Sequence, residues 1–232
     1  MPIEGGWRLA LPPGSRGQYR LAQLDDYTAL PRRAFPHETL RLQLRARASS
    51  ASITGTWGFG VWNDPFGLNL GGTRRSLRLP ALPNAAWYFH ASNESHLSFR
   101  DNTPGSGFLV QAFRSPRFDA RLLRAAAWYL FSRRRARHVL QTVIDEDTIR
   151  LYTDVSDWHT YVLEWTGSGV RCAVDGAEVL HTPVSPRPPL GIVIWIDNQY
   201  AALTRAGRLG FGVLESPEGH WVEVRDIAAA RP

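Results

Sequence analysis

Tryptophan, histidine and carboxylate side chains recur two residues apart on predicted strands, a spacing that places them on common faces. Trp62 and Asp64 share one face of such a strand, and Trp195 and Asp197 share one face of another. Indole rings can stack on the apolar faces of sugar rings, while polar groups bind their hydroxyls. A histidine within hydrogen-bond reach of a carboxylate can act as an acid–base pair. The ligand-binding candidates are Trp62, Asp64, Tyr88, His90, His159, Trp195, Asp197 and Gln199, of which His90, His159, Asp64 and Asp197 are also the catalytic candidates.

The strands that position these side chains are clearest between residues 157 and 200. Alternating aromatic and β-branched residues are separated by Gly-rich turns, and Asp175-Gly176 is a strong hairpin signal. A proline-rich run before residue 191 interrupts pairing, because proline has no N–H to donate. We predict an antiparallel meander of four strands, over residues 159–165, 170–174, 178–182 and 191–197.

Two further segments carry strand patterns. Residues 40–47 alternate strictly, with leucine and alanine on one face and arginine and glutamine on the other, which predicts a half-buried strand. Gly58 and Gly60 share the face of Trp62, so the backbone there lacks side-chain bulk and another group can approach it closely. That group is either a ligand or a packed neighbour.

The order HTYVLEW, turn, VRCAVDG, proline segment, GIVIWIDN resembles the C-terminal half of family 16 glycoside hydrolases. The resemblance covers roughly residues 40–110 and 150–227. It implies a concanavalin A-like β-sandwich whose concave sheet holds a polysaccharide. The eight candidate residues would then gather in this cleft.

The sequence departs from that family at its catalytic strand. The family carries two glutamates and an aspartate at alternate positions, and retaining hydrolysis needs such a pair of carboxyl groups. Ala86, Tyr88 and His90 align there, and Glu94 in the next loop is poorly placed to replace them. Arg225 stands where the family often has a calcium-binding aspartate. We therefore expect carbohydrate binding without retaining glycosidase activity, and neither a metal nor a cofactor.

Composition narrows the protein class. A chain of 232 residues suits one large β domain over residues 1–232. Its single cysteine, Cys172, excludes an intramolecular disulfide. The basic residues are all arginine, and the net charge is +6, which favours acidic partners without specifying one. We find no signal peptide pattern and no apolar run of membrane-spanning length, so we expect a cytoplasmic protein, at most peripheral at a membrane.

Residues 119–147 differ from the rest of the chain and predict a helical insertion, with one helix over 120–141. Its apolar residues lie all round the helix and are followed by arginines. Either the helix packs on the sandwich or on a second protomer, or it dips into an anionic membrane surface. We do not expect a nucleic-acid partner. The residues predicted to make this contact are Trp128, Leu130, Phe131, Arg133, Arg134, Arg135 and Arg137.

The sequence thus predicts an all-β protein, a two-sheet antiparallel sandwich of the concanavalin A-like jelly-roll kind with one α-helical insertion. The predicted function is that of a glucanase-like protein that binds carbohydrate in its concave cleft. Two alternatives stay open. One is an enzyme with altered acid–base chemistry on a sugar or an apolar ligand. The other is an interaction protein that uses its basic helix to bind a membrane surface or a second copy of itself.

Overall fold

In the computed structural model, which describes residues 1–15, 17–65, 78–117 and 119–232, two antiparallel sheets pack face to face. The first sheet has seven strands among these residues, in the order β1 (Pro2–Ile3), β2 (Gly6–Leu11), β15 (His220–Ala230), β4 (Leu40–Ala48), β9 (His159–Thr166), β10 (Gly169–Val174) and β11 (Ala177–Thr182). The second has six within the same described part, in the order β3 (Leu21–Asp25), β12 (Gly191–Asp197), β5 (Thr56–Trp62), β6 (Ala85–Ala91), β7 (Gly107–Arg114) and β8 (Asp145–Arg150). The predicted all-β sandwich is confirmed.

Alternation places the main core between the two sheets. In β4, Leu40, Leu42 and Leu44 are buried against the second sheet. In β12, Ile194 and Ile196 enter the same core from the opposite side. Period-two patterns of this kind bury one face of each strand.

The predicted four-strand meander is wrong in its last strand. Strands β9, β10 and β11 pair in sequence, but β12 pairs with β3 and β5 in the other sheet. The proline-rich segment carries the chain from one sheet to the other, because residues without an N–H cannot continue a ladder.

The predicted single helix is two helices. Helix α1 spans Arg121–Phe131, helix α2 spans Arg133–Val143, and Ser132 between them has the extended dihedral angles φ −154° and ψ 95°. The Nη1 of Arg121 donates to the carbonyl of Thr142 at 3.0 Å, so α2 folds back along α1. In the described part of the chain, no helix combines the length and apolar character needed to cross a bilayer.

Two smaller elements complete the fold. Strands β13 (Gln199–Leu203) and β14 (Leu209–Val213) form a separate hairpin directly after β12, and Arg32–Ala34 forms a short 3₁₀ helix. The hairpin contacts the helical insertion, because Arg137 of α2 donates to the carbonyl of Leu203. Helix α2 contacts the second sheet, because Leu140 packs against buried residues of that sheet.

Candidate ligand-binding face

The cleft implied by the sequence corresponds to the outer face of the six-stranded sheet, called here the cleft face. Residues paired across two strands point to the same side of a sheet. Gly58, Gly60 and Trp62 of β5 pair with Phe89, Trp87 and Ala85 of β6, and Gly58 also pairs with Trp195 of β12. The cleft face therefore carries Trp62, Ala85, Trp87, Phe89 and Trp195.

Tyr88 and His90 point away from this face, into the core between the sheets, so their predicted place in the cleft is wrong. The hydroxyl oxygen of Tyr88 lies 2.9 and 2.7 Å from the carbonyl oxygens of Val162 and Ala173 on the opposite sheet, within hydrogen-bond distance of both. The ring of His90 stacks on Trp57 with centroids 5.8 Å apart, and burial lowers its pKa to about 4. The imidazole is therefore neutral near pH 7.

Ala86 shares the inward face with these two residues, so the predicted placement of residues 86, 88 and 90 on the cleft face is wrong by one residue. All seven residues of β6 are buried, which removes the polar–apolar alternation that would have set the register. The cleft-face positions of β6 are Ala85, Trp87, Phe89 and Ala91. They too contain no carboxylate.

His159 also lies away from the cleft face, at the start of β9 in the seven-stranded sheet, which contradicts its predicted position. Its Nδ1 is 2.6 Å from the Oδ2 of Asp175, and its Nε2 is 2.9 Å from the carbonyl oxygen of Asp154. The hydrogen bond from His159 lowers the pKa of Asp175. This pair connects the β10–β11 turn to the segment before β9.

Asp64 lies just beyond β5 and is buried in an ion pair with Arg78, whose Nη1 is 2.7 Å from Oδ2. The other terminal nitrogen of Arg78 donates to the carbonyls of Tyr27, Thr28 and Leu30. The guanidinium thus attaches the loop after β3 to the end of β5. Asp64 serves this attachment instead of facing an open cleft.

Asp197 lies on the cleft face and is buried. Its Oδ1 accepts a hydrogen bond from the hydroxyl of Thr56 at 2.7 Å and another from the N–H of Gln199 at 3.2 Å. Burial raises the pKa of Asp197 to about 7. The indole N–H of Trp195 donates to the same Thr56 hydroxyl at 3.0 Å, so a short polar chain joins β12 to β5.

Most of the cleft face is filled by its own aromatic rings. Trp195 lies 6.1 Å from Trp62 in a parallel stack, 5.7 Å from Trp87 and 5.8 Å from Phe89. Only 6% of Trp195, 4% of Trp87 and 2% of Phe89 is exposed. A Cβ at Gly58 would overlap the carbonyl oxygen of Tyr88 and come within 2.8 Å of the Trp195 ring, so the groups that approach this glycine are packed neighbours.

Residues 96–104 are called here the covering segment, and their Leu97 and Phe99 pack against this aromatic cluster. Gln111 of β7 receives the indole N–H of Trp87 at 3.1 Å and donates to the carbonyl of Leu97 at 2.8 Å. The carboxylate of Glu146 in β8 accepts the backbone N–H of Phe99 at 2.7 Å. Polar side chains of the sheet therefore hold the covering segment in place.

Helix α2 holds the covering segment from the other side. Arg137 is 3% exposed, and its Nη1 donates to the carbonyls of Ser98 and Leu203 at 3.1 and 3.2 Å. Its Nη2 donates to Asp101 at 2.9 Å. The predicted membrane contact of Arg137 is therefore wrong. Sequence reasoning also missed Gln111 and Glu146, because a single polar residue within a strand does not reveal which segment it binds.

The other residues of the predicted helix contact remain near the surface. Phe131 is 83% exposed, and Arg133, Arg134 and Arg135 are exposed. Trp128 is partly buried beneath Arg135, whose Cζ is 4.6 Å from the indole centroid. Leu130 belongs to α1, but its side chain lies outside the described residues. Among those residues, no group of three or more His, Cys, Asp and Glu side chains is placed to hold a metal ion.

No protein-family model matches the chain, and no curated protein does. Solved structures similar to it include a β-glucanase from Bacillus licheniformis, at 12% identity and TM-score 0.46, over 100% of this chain and 81% of that one. A legume lectin-like domain from Entamoeba histolytica has 10% identity and TM-score 0.45, over 100% and 86%. A Crh5 transglycosylase in complex with NAG has 13% identity and TM-score 0.48, over 97% and 72%.

Proposed function

We propose that this protein binds carbohydrate without hydrolysing it. The observation that carries the proposal is the composition of β6, the strand that the family resemblance makes catalytic. Its cleft-face side chains are alanine, tryptophan and phenylalanine. A retaining glycosidase needs two carboxyl groups about 5–5.5 Å apart that both reach the substrate.

Among the described residues, the cleft-face carboxylates of the other strands do not supply such a pair, because Asp25 is partly exposed but Asp197 and Glu146 are buried. Asp197 and Glu146 are 8% and 3% exposed. Asp197 accepts hydrogen bonds from Thr56 and Gln199, while Glu146 accepts hydrogen bonds from the covering segment. The altered acid–base alternative lacks support for a similar reason, because Asp64, His90, His159 and Asp197 each contact other groups instead of one another.

Within the described residues, the part of the cleft face that a sugar can reach is the region around β3 and the end of β5. Trp62 is partly exposed there, and its ring is parallel to Trp195, with an interplanar angle of 6°. Gln23 and Asp25 of β3 are partly exposed and face the same side, with Gln23 Nε2 2.7 Å from Asp25 Oδ2. An indole beside an amide and a carboxylate can contact both a sugar ring and its hydroxyls.

The aromatic rings that fill most of the cleft face limit the size of the ligand. A long glucan lying across all six strands would have to displace Trp87, Phe89 and the covering segment. The edge at Trp62 instead suits a short saccharide or the end of a chain.

Binding is tested by titrating the protein calorimetrically with short β-glucan oligosaccharides. Trp62→Ala is expected to weaken binding about tenfold, because one aromatic stacking contact contributes about 1–1.5 kcal/mol. Trp7→Ala is the matched control, since Trp7 is 43% exposed on the other sheet. Equal affinities of the Trp62 and Trp7 variants would reject the site.

Absence of hydrolysis is tested separately with laminarin and lichenan. We expect no release of reducing sugar by the purified protein. Release that a heat-killed control lacks would contradict the proposal, whatever the outcome of the titration.

A further inference from the structure

Large apolar side chains project into solvent from α1 and from the β13–β14 hairpin. On α1, Leu123, Tyr129 and Phe131 are 67%, 36% and 83% exposed. On β14, Leu209 and Phe211 are 60% and 76% exposed. These five residues are called here the helix–hairpin patch. Exposed apolar groups gathered in one region mark an interaction surface.

The turn of the hairpin contacts the junction of the two helices. Gly207 in the hairpin turn has φ +76°, and a Cβ there would overlap the carbonyl oxygen of Arg133 at the junction of α1 and α2. Phe131 precedes this contact by two residues on one chain segment, and Leu209 follows it by two on the other. The two exposed apolar sets therefore flank a shared backbone contact.

Positive charge surrounds this contact. Arg133, Arg134, Arg135 and Arg208 are exposed, and within the described residues none of them forms an ion pair with a carboxylate. The Cζ of Arg133 lies 5.6 Å from the Tyr129 ring centroid. The patch thus combines apolar tips with cations that lack an anionic partner among the described residues.

We propose that the helix–hairpin patch binds the surface of an anionic phospholipid bilayer. Phe and Leu would enter the headgroup–acyl boundary while the arginines contact lipid phosphates. Helix α1 has 11 residues. At 1.5 Å per residue it is about 16 Å long, too short to cross the ~30 Å apolar layer, so it lies in the interface.

The chemistry of the patch favours lipid over other acidic partners. A nucleic acid offers phosphates but no fluid apolar layer for Phe131 and Phe211, and its affinity comes mainly from phosphate contacts. A protein partner would bury these side chains in fitted pockets, whereas a bilayer accepts projecting groups without shape complementarity. The proposal is independent of carbohydrate binding, because the patch and Trp62 are different sites.

The test is co-sedimentation of the full chain with phosphatidylcholine vesicles, with and without phosphatidylserine. Binding is expected to the phosphatidylserine vesicles and to weaken as salt rises, since ions screen the attraction. Replacing Arg133, Arg134 and Arg135 together with Gln is expected to weaken binding about a hundredfold, at about fivefold for each arginine near an anionic surface.

Two phenylalanine variants test whether both elements take part. Phe131→Ala in the helix and Phe211→Ala in the hairpin are each expected to weaken vesicle binding about tenfold, from the lost apolar transfer. Tyr152→Ala is the matched control, because Tyr152 is 90% exposed beyond the far end of β8 and should not change binding.

Several results would overturn the proposal. One is a protein that stays in the supernatant with both vesicle types. Another is self-association that Phe131→Ala abolishes without any vesicle binding, which would assign the patch to a second copy of the chain. Retention of RNA by the arginines in the absence of vesicle binding would assign it to nucleic acid. Normal binding by Phe211→Ala would exclude the hairpin from the contact.

Discussion

The cleft face and the helix–hairpin patch are built from similar residues in opposite environments. On the cleft face, Trp87, Phe89 and Trp195 are buried in a cluster against which Leu97 and Phe99 of the covering segment pack. In the patch, Phe131 and Phe211 project into water. Residue type therefore does not separate a structural region from an interaction surface in this protein. The two regions are distinguished by the contacts that each side chain makes.

The same contrast divides the helical insertion. Helix α2 uses Arg137 and Leu140 to cover the cleft face, whereas Leu123 of α1 is 67% exposed. Both helices come from one arginine-rich segment, and Ser132 separates them. The break changes the direction of the chain, and among the described side chains of the two helices Leu140 of α2 packs against the cluster on the cleft face.

The largest effect is expected from replacing Asp197. This substitution tests whether water is excluded from the cleft face around the carboxyl group. The pKa of the Asp197 carboxyl is 3.8 in the unfolded chain and about 7 in the folded protein. Between these values the folded state holds the extra proton, so the free energy of unfolding falls as pH rises, by about 1.4 kcal/mol per unit and about 4 kcal/mol in all.

Asp197→Asn removes this titration and keeps the carbonyl acceptor. Denaturant unfolding of both proteins should show the variant gaining about 4 kcal/mol relative to the wild type between pH 4 and pH 7. Other titrating groups, such as His90, cancel in the difference. A difference that stays constant over this range would mean that the cleft face is hydrated around Asp197.

Arg137→Ala tests the attachment of α2 to the covering segment. The variant lacks the buried guanidinium that donates to the carbonyls of Ser98 and Leu203. We therefore expect the free energy of unfolding to fall by about 3 kcal/mol. Arg134→Ala, an exposed arginine of the same helix, should change it by less than about 0.5 kcal/mol. Similar decreases in the free energy of unfolding for the two variants would contradict a structural role for the buried Arg137.

Leu140→Ala compares apolar packing in the two helices. Leu140 packs against the cluster on the cleft face, so its truncation should cost about 2 kcal/mol in the free energy of unfolding. Leu123→Ala should cost less than about 0.5 kcal/mol, because Leu123 is mostly exposed. Chemical denaturation of both variants measures these free energies of unfolding. A larger decrease for Leu123→Ala than for Leu140→Ala would show that α1 is the packed helix.

Ser132→Ala gives the smallest expected effect. The Ser132 hydroxyl caps α2 by accepting the N–H of Arg135 at 3.5 Å. Loss of an N-cap costs about 1 kcal/mol. Thr at this position should restore most of that stability, and a Thr variant as weak as the Ala variant would argue against the cap.

Sequence patterns determined the strands that have one face in the core and the other in water. The alternation in β4 predicted its buried residues, and the two faces of β12 were assigned correctly. Asp175 and Gly176, with φ +50° and +83°, form the predicted tight turn. These features are local, because backbone dihedral angles and side-chain periodicity depend on neighbouring residues alone.

Only the tertiary structure decided the register of β6, the sheet that receives β12, and the break between α1 and α2. A strand buried on both faces has no polar side to read, so Tyr88 and His90 were placed on the wrong face. The use of Arg137, Gln111 and Glu146 to hold the covering segment depends on contacts between residues far apart in the chain. Charge and hydropathy along a sequence identify residues that need a partner, but the folded chain alone determines which partner each one finds.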